Sequence, residues 1–127
     1  MICAAYCWLT LFSVDYFMIL YFFSDKPQIL VEPENITKNE GQNVTLLCQF
    51  DGKPMKTIKW FKNMKTHIEQ NGRIKIKQEG SVLQTTSTLT ITNLDRDDQG
   101  HYQCRVNNKF GTANSSTQAG HVTVDCK

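Results

Sequence analysis

The chain has 127 residues, a formal net charge of +2 and 40% hydrophobic residues. That length bounds it to one domain plus a short extension, since roughly a hundred residues suffice for a single two-layer core. So small a net charge gives no reason by itself to expect a nucleic-acid partner.

Residues 1–24 carry one charge, Asp15, and residues 16–23 are unbroken and apolar. This pattern reads as a secretory signal peptide. No Lys or Arg precedes the apolar core and no clear small-x-small cleavage site closes it, so an uncleaved membrane anchor and a misplaced or truncated start stay open. As an anchor the segment is long enough to span, with Asp15 near its middle costing a few kcal/mol, roughly. Cys3 and Cys7 would leave with a signal, and they lack zinc-ligand spacing.

Residues 28–31 form a first strand between Pro27 and Pro33, proline being tolerated at a sheet edge. A turn at 39–42 leads into a strand at 43–50, where Val44, Leu46, Cys48 and Phe50 recur with the period of two of a half-buried strand. A turn at 51–54 precedes a strand at 56–62, with Ile58 and Trp60 inward and Lys59 and Phe61 outward. A short strand or loop covers 65–70. Asn71-Gly72 then turns the chain into a strand at 73–77, Ile74 and Ile76 inward, Lys75 and Lys77 outward. A long strand at 82–92 sends Leu89 and Ile91 inward. Leu94 opens a polar corner with a short helical turn over 95–99. Tyr102, Cys104 and Val106 alternate in a strand at 100–107, which puts His101, Gln103 and Arg105 outward. A last strand, 111–124, ends on Val122 and Val124, with a tail at 125–127. No repeat, low-complexity tract or second domain is visible.

Cys48, then Trp60 twelve residues later, then Tyr102 two residues before Cys104, with Asp98 and Gly100 completing D-x-G-x-Y-x-C, resembles the immunoglobulin superfamily signature. Asn108-Lys109-Phe110-Gly111 resembles the F–G turn of its I-set type, also C2-like, and the resemblance covers about residues 27–124. It implies an all-β, two-sheet antiparallel Greek-key sandwich spanning 25–124. It also implies a Cys48–Cys104 bridge, Trp60 packed on that bridge, Leu89 in the core, a Tyr102 hydroxyl bonded to backbone upstream, and an Arg73–Asp98 ion pair.

Candidate chemistry is sparse. His67, His101 and His121 have no nucleophile or orienting acid converging on them, although His101 and His121 fall on outward positions of neighbouring strands. They read as solvated strand histidines. No phosphate loop is present, so neither an enzyme nor a cofactor is expected. Asn35, Asn43 and Asn114 each open an N-x-S/T sequon, with Asn35 and Asn43 expected at one sheet and Asn114 at the other. Residues 53–77 hold eight Lys and Arg against Glu69 alone, which suits either an ordinary solvated face or an anionic partner such as an acidic protein surface or a sulphated glycan. No DNA- or RNA-binding motif accompanies the charge. An outward Phe61 ringed by Lys59, Gln103 and Arg105 resembles an interface anchor with a polar rim.

The resemblance implies a non-catalytic extracellular recognition module, acting in cell adhesion or receptor–ligand binding, with a homophilic or heterophilic protein partner, and secreted or held at the plasma membrane through residues 1–24. A structural module of an intracellular muscle-type scaffold, with Cys48 and Cys104 reduced, is the alternative, as is a fragment of a multi-Ig receptor. Cys126 is the cysteine left over after signal removal, which suggests intermolecular pairing or a reactive thiol.

Overall fold

The computed structural model describes residues 26–51, 57–81 and 84–126. The 1–24 extension, most of the 51–54 turn, the first residues of the strands expected at 56–62 and 82–92, and Lys127 lie outside the described residues. Within them the chain forms β1 (Ile29–Val31), β2 (Ile36–Asn39), β3 (Val44–Asp51), β4 (Thr57–Lys62), β5 (Thr66–His67), β6 (Ile74–Gly80), β7 (Gln84–Ile91), a 3₁₀ turn (Arg96–Asp98), β8 (Gly100–Asn108), β9 (Gly111–Asn114) and β10 (His121–Asp125). One sheet runs β1-β3-β7-β6. The other runs β2-β10-β8-β4-β5, with β9 also paired to β8. This is the two-sheet sandwich that the motifs imply.

Alternation builds the core. Val44, Leu46, Cys48 and Phe50 of β3 are buried, and the intervening Thr45 and Leu47 are exposed. Leu89 and Ile91 of β7 meet them from the same sheet, while Ile74 and Ile76 of β6 pack at its border. Trp60, Tyr102, Cys104, Val106, Val122 and Val124 close the core from the second sheet. Trp60 sits directly opposite Cys104, and Cys104 is bonded to Cys48 across the sandwich. The Trp60 indole N–H donates to Ser87 Oγ at 2.9 Å. Ser87 is two residues before Leu89 on the inward face, so a buried hydroxyl there answers the one polar atom that the Trp brings inside.

Two strands differ from the sequence reading. The opening stretch is not one edge strand but two. β1 pairs with β3, whereas β2 crosses to the other sheet and pairs with β10, in parallel. Pro33 lies in the break, and without an N–H it cannot continue a ladder. The last strand is likewise split, because residues 115–120 leave the sheet between β9 and β10. Ser115 anchors that excursion, its N–H donating to Cys104 O and its hydroxyl accepting from Cys104 N–H. Gly120 closes it at φ 77°, where an added Cβ would lie 2.2 Å from Tyr102 O.

The corner before β8 is a small polar network. Asp98, 7% exposed, accepts from Arg73 Nη1 at 2.8 Å and Nη2 at 3.1 Å, and from Asp95 N–H at 2.8 Å. The Asp95 carboxylate in turn caps the 3₁₀ turn through Asp97 N–H. The Tyr102 hydroxyl donates to Asp98 O, and burial, then the Asp98 charge, push the phenol's pKa up. Burial acts to raise the Asp98 pKa as well, but the hydrogen bonds from Arg73 and Asp95 and the Arg73 charge outweigh it, so the carboxyl titrates below its ordinary value. A folded-state pKa depressed in this way adds stability above the unfolded value of about 4 and loses it as pH falls through the folded pKa. Melting temperature is therefore expected to drop on acidification below about pH 4, and less steeply in Asp98→Asn. Asp98→Ala is expected to cost about 2–3 kcal/mol, below the range for fully buried pairs because Arg73 is half exposed. In a urea double-mutant cycle, Arg73→Ala with Asp98→Ala should cost less than the sum of the single changes. Additive losses would mean that the two do not couple.

Candidate functional site

The outward face of β4, β8 and β9 carries the side chains expected to meet a partner. The β4–β8 register sets Lys59 directly opposite Arg105 and Phe61 opposite Gln103, and β9 brings Asn114 opposite Arg105. Phe61 is not the free anchor that alternation suggested. The Arg105 guanidinium lies 4.0 Å over its ring, and the His67 ring stands 5.6 Å away, so Phe61 is half-buried as a floor beneath a cation. Gln103, expected to be an exposed rim residue, is 5% exposed. Its amide donates to Ser115 O and its carbonyl accepts from Arg105 Nη2, because the 115–120 excursion folds over the strand position that alternation leaves outward. Arg105 Nε donates to Asn114 Oδ1 at 2.8 Å, which fixes the guanidinium on the ring.

Lys59, Phe61, Arg105, Asn107 and Thr112 line a shallow depression of about 280 Å³. Among the described residues no carboxylate forms an ion pair with Lys59 or Arg105; the ion pairs of this region lie elsewhere, at Arg73–Asp98 and Lys77–Glu79, and Glu69 stands 3.9 Å from His67 Nδ1. The basic stretch of the sequence is thereby dispersed. Lys62 donates to Asp97 O, Arg73 is taken by Asp98, and Lys75 and Lys77 stand on β6 in the other sheet. Lys53 and Lys56 lie outside the described residues.

The sequons fall differently from expectation. Asn43 precedes β3 in the four-stranded sheet, its Oδ1 accepting from Asn93 N–H. Asn35 precedes β2, in the other sheet. Its amide donates to Gln118 O and its Oδ1 accepts from His121 N–H. Two of the three sequons, Asn35 and Asn114, therefore border the six-stranded sheet, a consequence of the strand switch at Pro33. All three asparagines are exposed.

The histidine reading also changes. His101 is 6% exposed rather than solvated, whereas His121 is exposed, and their ring centroids are 4.8 Å apart. Cys126 is an exposed free thiol beyond β10. Sequence reading missed Ser87 and Ser115, both buried, although the inward register of Leu89 already pointed to position 87. It also missed the exposed Val31 and Leu47, which with Glu32, Glu34, Ile36 and Thr45 line a second depression beside β1.

Comparison with known proteins matches residues 27–119 to the family model described as immunoglobulin I-set domain. The chain is 37% identical over 95 residues to neural cell adhesion molecule 1 of Rattus norvegicus, covering 73% of this chain and 10% of that protein. It is 34% identical over 107 residues to muscle M-line assembly protein unc-89 of Caenorhabditis elegans, covering 84% of this chain and 1% of that protein. The chain thus spans about a tenth or less of the length of the curated relatives it matches. Among solved structures, the fold superposes on a chain of the titin M10–obscurin-like 1 Ig F17R mutant complex with TM-score 0.71 at 25% identity, covering 81% of this chain and 96% of that one.

Proposed function

The chain belongs to the immunoglobulin I-set family, and from that premise we propose that it is a non-catalytic recognition module that docks an acidic protein surface on the outward face of β4, β8 and β9, in cell adhesion or receptor–ligand binding outside the cell. The observation that carries this reading is the directly opposed pair Lys59 and Arg105. Like charges facing each other across a ladder destabilise the free domain, and an incoming carboxylate between them would relieve that repulsion. Arg105, held over Phe61 by Asn114, is a rigid anchor of the kind that dominates interfaces. A sulphated glycan fits less well, because a polyanion needs a track of cations and Lys75 and Lys77 stand on the opposite sheet. The extracellular setting is supported by the Cys48–Cys104 bridge, which requires an oxidising compartment, and by three exposed sequons. Asn114 stands on the docking face itself, bonded to Arg105, so docking there requires that this asparagine carry no sugar.

Likeness to unc-89 and to a chain of the titin M10–obscurin-like 1 complex favours the scaffold alternative, and thiol state separates the two. Cys48 and Cys104 protected from alkylation in secreted material fit the first reading. Retention of the full chain in the cell with both thiols free fits the second.

The face itself is tested with secreted full chain displayed on fluorescent beads. Bead–bead clustering reports homophilic binding, and bead capture by cells reports a heterophilic partner. Lys59→Glu with Arg105→Glu is expected to lower whichever is seen by about tenfold or more, and Lys75→Glu to leave it unchanged. Binding that survives the double reversal, or falls equally with Lys75→Glu, sinks the assignment of this face.

A further inference from the structure

The two histidines on β8 and β10 form a constellation that recognition does not use. His101 and His121 are directly opposite in the β8–β10 register. Tyr102 N–H donates to Gly120 O at 2.8 Å, which places the neighbouring histidine pair at a non-hydrogen-bonded position, where facing side chains come closest. The ring centroids are 4.8 Å apart and tilted by 47°. His101 Nε2 lies 3.1 Å from Ser116 O, and His121 Nε2 lies 3.0 Å from Thr117 O. A carbonyl oxygen only accepts, so each Nε2 carries the proton and each neutral ring presents Nδ1 as a lone pair. A backbone carbonyl that fixes the tautomer in this way is the usual outer support of a metal-binding imidazole. The lone pair on His101 is conspicuous, since Nδ1 is buried and has no hydrogen-bond partner, an arrangement that costs the apo protein. Glu32 accepts the Ser116 N–H at 2.6 Å, which holds a negative charge at the same turn.

We propose that His101 and His121 form a two-imidazole site for Zn2+, bound through the two Nδ1 atoms. Imidazole nitrogens select borderline divalent metals over Ca2+ and Mg2+. No group of three His, Cys, Asp or Glu that could hold a metal occurs among the described residues, so water fills the remaining coordination positions and the affinity is modest. The exposed ring of His121 is the movable half: its transient rotation away from Thr117 O opens the buried His101 Nδ1 to the ion and its waters.

The test uses the full chain with Cys3, Cys7 and Cys126 changed to Ser, so that no free thiol competes. ZnCl2 at a hundred times its dissociation constant is expected to raise Tm by about 10 °C, and CaCl2 to leave it unchanged. His121→Gln replaces an exposed side chain, so its metal-free Tm should match the parent while the Zn2+ shift disappears. With Cu2+ as a second probe, electron paramagnetic resonance should report two imidazole nitrogens in the parent and one in His121→Gln. Absence of a Zn2+ shift in the parent, or an undiminished shift in His121→Gln, overturns the site.

Discussion

Trp60→Ala is expected to cost about 4 kcal/mol and to lower Tm by roughly 15–30 °C. Trp60 is fully buried, with a relative exposure of 0%, and it lies between the β3–β7 layer and its own sheet. The neighbours that would have to collapse into the void, Cys104 opposite it and Ser87 beneath its N–H, are pinned by the bridge and by the β7 ladder. Collapse is therefore partial, and the cavity term adds to the lost transfer energy. Ser87 is also left buried without its donor. Trp60→Phe separates these effects, because it keeps most of the volume and removes the N–H, for an expected cost of about 1–2 kcal/mol. Urea unfolding followed by circular dichroism would read both changes. An unfolding midpoint for Trp60→Ala near that of the parent would refute this account of the core.

Removing the Cys48–Cys104 bridge is expected to have a comparable effect by a different route. The two cysteines are 56 residues apart in sequence, and closing a loop of that length lowers unfolded-chain entropy by about 4 kcal/mol at room temperature in the chain-entropy model. Both sulfurs are buried at the centre of the sandwich, so the Cys48→Ala, Cys104→Ala pair leaves the native layers in place and acts chiefly on the unfolded state. The parent in reductant and the double variant in oxidising buffer should therefore unfold at similar urea midpoints, both far below the oxidised parent. A reductant-insensitive midpoint would mean that the bridge contributes nothing. Combining the change with Trp60→Ala should be non-additive, because the indole faces the bridge.

The partner face depends on a contrast with these core positions. Lys59 contributes no core packing, so Lys59→Glu is expected to alter binding while leaving the unfolding free energy within about 0.5 kcal/mol of the parent, whereas Arg105→Glu also gives up its contact with Phe61 and its hydrogen bonds to Asn114 and Gln103 and should cost about 1–2 kcal/mol. The Lys59→Glu change therefore keeps a lost interaction distinguishable from a lost fold.

The sequence by itself determined most of the strands and their inward faces. The period of two in Val44, Leu46, Cys48 and Phe50, and again in Tyr102, Cys104 and Val106, is a local property of a pleated chain with one buried side. The D-x-G-x-Y-x-C stretch fixed the family for the same reason, since its residues act within one corner and one strand. Lys59 and Arg105 were readable as outward residues, but not as neighbours. Alternation states which side of a sheet a residue takes and is silent on which strand lies beside it, because register is set by pairing between segments far apart in sequence. The tertiary structure alone decided that β2 leaves the first sheet for β10, and that residues 115–120 cover Gln103 and His101. It also laid Arg105 on Phe61, and brought His101 and His121, twenty positions apart in the chain, ring to ring. Each of these is a long-range contact, in which one side chain's surroundings are supplied by a strand that the local pattern does not name.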